Sequence, residues 1–214
     1  MKLFSYLSVA VLLLSSIALA AYSPDLLSAL IVGLMCIIAL AGCIHGLLPT
    51  ISITRGLLNG QKSIRKASET EGSSAWVAAL QIEHFFQQKT LDGLFEDYRE
   101  KVQHQRETGQ IVSDLDEVLN EDVLALHTWK GVIAQLPGTL TGLGILGTFV
   151  GLLLGLRGIS FVTVEAALGS VQSILAGINT AFYTSIAGVI LSILFNITNN
   201  VLRTTMNRET GLFL

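Results

Sequence analysis

Charge is the scarcest ingredient of this sequence. Asp, Glu, Lys and Arg make up 14% of its 214 residues, against about 25% in an ordinary soluble domain. With a mean hydropathy of +0.62, the composition excludes a conventional soluble fold and points to a membrane protein. The net charge is only −3, and no run of Lys and Arg forms a basic patch, which excludes nucleic-acid binding by this chain. Cysteine is nearly absent. Cys36 and Cys43 lie in one apolar run, and on a helix they stand roughly 10 Å apart, beyond disulfide reach. A disulfide framework and a cysteine metal site are both excluded, and the pair reads as small buried apolar residues. Three prolines leave room for long uninterrupted helices.

What the sequence has instead is apolar length. Four stretches reach the ~20 residues that a helix needs to cross a bilayer: Leu3 to Ala21, Leu26 to Leu48, Ile133 to Leu156, and Leu168 to about Ile197. No Asp, Glu, Lys or Arg falls inside any of them. The first, with Lys2 ahead and Ala-Leu-Ala-Ala at its end, also resembles a signal peptide, and we expect a retained helix. Tyr22-Ser23-Pro24-Asp25 makes the turn to the second span, with Pro24 blocking continuation. Between the second and third spans lies the polar stretch that holds most of the charge.

Basic residues set the orientation. Arg55, Lys62, Arg65 and Lys66 follow the second span, Arg203 and Arg208 follow the fourth, and Lys2 precedes the first. The first turn has no base, and the loop between spans three and four has only Arg157, set against Glu165. Both termini and the central segment are therefore expected in the cytoplasm, with both tight hairpins facing outward. The chain reads as all-α: a polytopic membrane protein with four transmembrane helices, a cytoplasmic helical segment between helices 2 and 3, and a long helix 4 extending into the cytoplasm. The expected divisions are a transmembrane hairpin at 1–49, the cytoplasmic segment at 50–132, a second, channel-forming hairpin at 133–202, and the start of a cytoplasmic tail at 203–214.

Within the central segment the apolar spacing predicts helices over Ala75–Phe86, Leu91–Lys101 and Asp114–His127, with a break at Thr108-Gly109. The acidic run Asp114-Leu115-Asp116-Glu117 clusters oxygen ligands of the kind Ca²⁺ takes, but it lacks EF-hand spacing. Asp114, Asp116 and Glu117 are thus weak metal candidates, and a solvated helix face is the plainer reading. Glu165 either gathers cations at an outer mouth or serves as a surface partner for Arg157.

The third span is rich in glycine and carries Thr139, Thr141 and Thr148, which a helix built to face lipid would not need. Gly144, Gly147, Gly151 and Gly155 recur at three- and four-residue spacing, which brings another backbone close. Thr148 lies one turn from both Gly144 and Gly151. On the fourth span, Gly177, Thr180, Thr184, Gly188, Ser192, Asn196 and Asn200 form a four-residue ladder with Ser185 beside it. Lipid cannot satisfy a polar stripe of this length, so it must face protein or water. The opposite face, with Phe182, Ile186, Val189, Ile190, Ile193 and Leu194, suits lipid or neighbouring helices. Hydroxyls do not titrate near neutral pH. If protons move along this stripe, a carboxylate must come from another chain. His45, at the cytoplasmic end of span two, reads as a capping or interfacial residue.

These residues resemble a known family. Two outward hairpins around a cytoplasmic helical segment, a Pro-xxx-Thr-Gly-Leu-Gly-Ile-Leu-Gly-Thr-Phe-Val-Gly span from Pro137, and an Ala-Phe-Tyr-Thr-Ser-Ile-Ala-Gly span from Ala181 are similar to the MotA/TolQ/ExbB proton-channel family. Leu140–Leu156 and Ala181–Gly188 look most like its ZorA branch, from Zorya antiphage defence. The resemblance implies a homopentamer in the bacterial inner membrane around a dimer of a single-span, peptidoglycan-binding MotB/ZorB-like partner whose membrane Asp supplies the missing acid. Proton flow then drives rotation. The translocated ion is implied to be H⁺, with nothing in the residues that selects against Na⁺, and no cofactor is expected. The family's channel hydroxyl on span three corresponds to Thr148. Its counterpart on span four is Ser185 by its spacing to Gly188, and one residue of slippage makes it Thr184. Thr180 continues the pathway, while Gly144, Gly147, Gly151, Gly155 and Gly188 pack helices. Relatives continue into a long cytoplasmic tail of which 203–214 read as the beginning. Two alternatives remain open: an ExbB/TolQ-type energy-transducing subunit for an outer-membrane system, and a passive scaffold whose glycines only pack helices. An enzyme is not expected, because no span holds a nucleophile–base or metal-ligand constellation.

Overall fold

The structure, a computed structural model, describes residues 2–71, 82–157, 159 and 163–214. Every regular element among them is helical. In chain order these are α1 (Lys2–Ala21), α2 (Leu26–Gly42), a π-helical turn (Cys43–Leu47), α3 (Leu48–Glu71), α4 (Lys89–Glu107), a 3₁₀ turn (Leu115–Glu117), α5 (Glu121–His127), α6 (Lys130–Arg157) and α7 (Val164–Phe213). Three helical runs are long and apolar enough to cross a membrane: Leu26–Lys66, Leu115–Arg157 and Val164–Phe213. The described apolar part of α1, Tyr6–Ala21, is shorter.

The chain divides into two compact units. The first comprises Met1–Ile44 and Gly131–Asn199. Its core is apolar and helical throughout, with Leu12, Val32, Met35, Leu140, Ala187, Leu191 and Phe195 fully enclosed. The α1–α2 turn is fixed by a capping box. The Asp25 carboxylate accepts the Ser28 N–H at 2.7 Å, and Ser28 Oγ accepts the Asp25 N–H at 3.3 Å. This satisfies backbone donors that the first turn of α2 leaves over. Gly42 admits no side chain, because a Cβ there would meet Leu136 and would stand 2.8 Å from the Phe195 ring. Ser16, on the buried side of α1, bonds back to the Leu12 carbonyl at 2.7 Å. Cys36 donates its Sγ–H to the Ser16 carbonyl at 3.2 Å.

The second unit comprises His45–Lys130 and Asn200–Leu214. It is built on aromatics. Phe85, Phe86, Phe95 and Tyr98 are all but enclosed. Phe85 stacks on Phe95 at 4.9 Å and meets Phe86 edge-on at 4.8 Å, and Phe213 closes on Phe86 at 5.1 Å. Ile53, Leu57, Leu91, Leu115, Leu119, Leu124 and Met206 complete this core.

Two expected helices of this unit take other forms. Of Ala75–Phe86, residues 75–81 lie outside the described residues, and 82–88 are a bent loop. The loop is held by Asp92, whose carboxylate accepts the N–H groups of Phe86 at 2.7 Å and Gln88 at 2.9 Å. Those bonds let Phe85 and Phe86 turn inward together, which consecutive residues on a helix do not do. The cost is a left-handed backbone at His84 (φ 55°) and Gln87 (φ 52°). Asp114–His127 divides into the 3₁₀ turn and α5. Asn120 separates them, its side-chain oxygen accepting the N–H groups of Asp122 at 3.1 Å and Val123 at 3.0 Å. An N-cap of that strength starts a new helix. The break at Thr108-Gly109 is present, with Gly109 left-handed at φ 66°.

Candidate functional site

The site lies wholly within the first unit, along the seam between α6 and α7. Gly144, Gly147, Gly151 and Gly155 of α6 are all buried. A Cβ added to Gly151 would stand 2.9 Å from both Ala181 N and Gly177 O, and one on Gly155 would stand 3.0 Å from Gly177 Cα. From the other helix, a Cβ on Gly188 would stand 2.7 Å from Leu140 O and 2.9 Å from Gly144 Cα. These are backbone atoms, so the two helices touch main chain to main chain, the approach that small residues permit inside a membrane. Position 144 faces 188 and position 155 faces 177, so the hairpin is antiparallel. Gly138 and Gly142 of the same helix face open space.

The seam has two unlike sides. On one lie Thr180 and Thr184, 5% and 0% exposed. The Thr184 side chain is lodged against Gly147, where a Cβ would stand 2.6 Å from Thr184 Cβ. Its hydroxyl is within reach of the Thr180 carbonyl at 3.0 Å and the Ala181 carbonyl at 3.1 Å of its own helix. Thr180 donates to the Asp25 carboxylate, with the Ala176 carbonyl an alternative acceptor at 3.1 Å. Tyr183 donates its phenolic O–H to the Leu19 carbonyl at the end of α1. The α1–α2 turn therefore reaches Thr180 and Tyr183, while Thr184 is covered by α6 at Gly147. Burial alone pushes the Asp25 carboxyl up, but the Ser28 N–H, followed by the Thr180 and Ser28 hydroxyls, holds it below the ordinary carboxylate range.

On the other side lie Thr148 and Ser185, both half-buried. The Thr148 hydroxyl is within reach of two carbonyls, Gly144 on its own helix at 3.2 Å and Ala181 across the seam at 3.3 Å. Gly144 lies against the main chain of both α7 positions, since a Cβ there would stand 3.2 Å from the Thr184 carbonyl oxygen and 3.3 Å from Ser185 Cα. Further along α7 the ladder comes out of the packing: Ser192 is half-buried, and Asn196 and Asn200 are exposed. Flanking the seam are exposed apolar residues, Ile145, Leu146, Phe149 and Leu153 on α6 and Phe182, Ile186 and Ile193 on α7.

Of the ladder that the sequence sets along α7, the structure buries Thr180 and Thr184 and leaves Ser185, which stands beside the ladder, half-buried. Thr148 and Thr184 both reach the Ala181 carbonyl, at 3.3 Å and 3.1 Å. Asp25, read from the sequence only as a turn residue, is the contact that sequence reasoning missed. Its local signal was the Asp-x-x-Ser capping box, but the long-range bond to Thr180 has no sequence signature. His45 is exposed and rests near Trp129, ring centroids 6.0 Å apart. In the second unit Glu117 pairs with Lys101. Among the described residues no three His, Cys, Asp or Glu side chains converge as metal ligands would.

Comparison with known proteins agrees with this architecture. Residues 11–206 match the family described as anti-phage protein ZorA of the Zorya type I system. Zorya protein ZorA of Escherichia coli Crooks is 42% identical over 60 residues, 28% of this chain and 10% of that protein. Zorya protein ZorA of Escherichia coli O139:H28 is 27% identical over 188 residues, 83% of this chain and 25% of that protein. The chain thus spans about a quarter or less of the length of these curated relatives. With the family match running over nearly its whole length, the chain belongs to the ZorA family of Zorya type I antiphage systems.

Proposed function

We propose that this chain is the membrane channel part of a proton-driven motor in antiphage defence. Four helices span the bacterial inner membrane with both termini in the cytoplasm, and five copies surround two single-span partner helices. Each partner helix carries an Asp that takes up and releases the proton. Thr148 and Ser185 are the hydroxyls that this carboxylate passes. They can solvate a proton donor or water without holding a proton themselves, so each transfer returns the site to its starting state. The glycine seam keeps the α6–α7 hairpin rigid while the partner turns against it.

The observation that carries this reading is the asymmetry of the seam. Its Thr148–Ser185 side is uncharged, hydroxyl-bearing and half-exposed, while a passive packing seam would bury both sides alike. The broad apolar faces beside it suit lipid and neighbouring copies. Membership of the ZorA family favours defence over an outer-membrane energy transducer, and no feature of the site favours the latter.

The test is plating efficiency of phage on cells carrying the whole system, with purified complexes assayed for proton uptake. Thr148→Ala and Ser185→Ala are expected to lose protection and proton uptake while the complex still assembles. If both variants protect fully, the scaffold reading stands and the channel reading falls.

A further inference from the structure

The turn from α5 to α6 carries an inference that rests on the membrane placement in the reading above. Trp129, in that turn, is left-handed at φ 50°, a backbone region that bulky residues rarely adopt. It is also 58% exposed, and Leu126, three residues before it, is 77% exposed. The residue between the helices that does turn inward is Thr128, which is fully buried. Its hydroxyl is within reach of the Leu124 carbonyl at 3.1 Å and accepts an Arg203 guanidinium N–H at 3.4 Å. With Thr128 held inside, Trp129 stands outside. There it lies near His45, itself exposed, with ring centroids 6.0 Å apart. Lys130 follows and is exposed as well. Core packing does not account for a tryptophan that is both strained and left in the open.

Chain length puts this corner at the edge of the membrane. Asp25 reaches Thr180, and Gly151 lies against Ala181, the next residue. The head of α2 and Gly151 of α6 therefore share one level. Counted along each helix from that level, His45 and Lys130 both come about 30 Å further on, at 1.5 Å per residue. That is the thickness of a bilayer's hydrocarbon core. A tryptophan, with an apolar body and one N–H donor, suits this boundary, and so does a lysine that holds its charge out to phosphate. A protein neighbour matches Lys130 less well, because lysine is depleted at protein interfaces.

We propose that this corner is a phospholipid-headgroup site: Trp129 and Leu126 enter the interfacial layer of the cytoplasmic leaflet, and Lys130 pairs with a lipid phosphate.

The experiment uses the complete chain assembled with its partner in vesicles of phosphatidylcholine and phosphatidylglycerol. Tryptophan emission is compared between wild type and Trp129→Phe, and the difference is the emission of Trp129. Trp129→Tyr serves as the blank if the phenylalanine variant does not assemble. Phosphatidylcholine brominated near the ester end of its chains is expected to quench that emission severalfold more than phosphatidylcholine brominated at mid-chain. Aqueous iodide is expected to quench it little. Lys130→Glu, which sets a carboxylate against the phosphate, is expected to lower the quenching by the shallow lipid by half or more. Stronger quenching by the mid-chain lipid overturns the inference, as does quenching by iodide but by neither lipid. No quenching by any of the three, the result that a protein cover over Trp129 would give, overturns it too. An unchanged signal in Lys130→Glu overturns the phosphate contact. None of these readouts needs proton flow, so a complex that meets lipid here but takes up no protons overturns the channel reading alone.

Discussion

The Thr148 hydroxyl stands 3.2 Å from the Gly144 carbonyl of its own helix and 3.3 Å from the Ala181 carbonyl of the facing helix. A single donor is shared between a local and a cross-seam acceptor. The local bond is the ordinary fallback of a threonine inside a helix. The cross-seam bond exists only because Gly144, Gly147 and Gly151 let the helices close to backbone contact. Thr148→Ser keeps the donor and is expected to retain phage protection. In Thr148→Ala the lost hydrogen bond is worth about 0.6 kcal/mol, the average found inside membranes. Thermal unfolding of the purified complex should therefore move by a few degrees at most, while activity disappears.

The glycines of α6 divide by what surrounds them. At Gly151 a methyl group would meet the Ala181 and Gly177 main chain at 2.9 Å, and backbone cannot swing aside. Gly151→Ala is expected to destabilise the hairpin by about 1–3 kcal/mol, the usual range for overpacking. Gly142, about two and a half turns earlier on the same helix, faces open space, so Gly142→Ala is expected to be neutral. Thermal unfolding in detergent, run on the two variants side by side, checks the contrast.

The second unit depends on one buried ring. Phe86 is fully enclosed by Phe85, Phe95 and Phe213. Phe86→Ala removes the ring from a close-packed site and is expected to cost about 3–5 kcal/mol. Gly60→Ala should injure the same core from the other side, since its Cβ would stand 2.6 Å from the Phe86 ring and 3.1 Å from Phe213. Limited proteolysis should cut both variants faster than wild type within residues 45–130.

Asp92 is expected to matter to that core without belonging to it. Asp92→Ala leaves the N–H groups of Phe86 and Gln88 without their carboxylate, at about 1–3 kcal/mol for each donor that stays dry. Gln87→Gly acts in the opposite sense. It removes the left-handed strain at φ 52°, and its expected effect is neutral to stabilising by about 1 kcal/mol. Urea unfolding followed by near-ultraviolet dichroism of the aromatic cluster distinguishes the two.

Much of the fold is legible in the sequence, because the signals are local and strong. Runs without charge fix the long apolar helices, and α7 runs through Asn196 and Asn200 because nothing in it stops a helix. The glycine spacing of α6 announces close backbone contact. Where the reading failed, local periodicity was silent. Phe85 and Phe86 look like one end of a helix until the Asp92 carboxylate, from the next helix, captures the loop that carries them. Asn120 has the chemistry of an N-cap, yet it sits in a run whose apolar spacing also fits a single longer helix.

The sequence by itself determined that two helices must close on each other through glycine and that no acid lies within their apolar lengths. The residues alone are enough for both, since closely spaced glycines let backbones approach and the absence of Asp and Glu is read directly from the spans. It put Ser185 first by its spacing to Gly188 and left Thr184 one residue of slippage away, and it could not say which of the two the fold would bury, because adjacent residues on a helix differ by ~100°. Tertiary structure decided their burial. The α1–α2 turn brings Asp25 onto Thr180, Thr184 is enclosed against Gly147 of the facing helix, and Ser185, one step round the helix, stays half-buried. The physical reason is that the groups covering α7, Asp25 on Thr180 and Gly147 on Thr184, lie far from it in the chain and reach it only once the helices have packed.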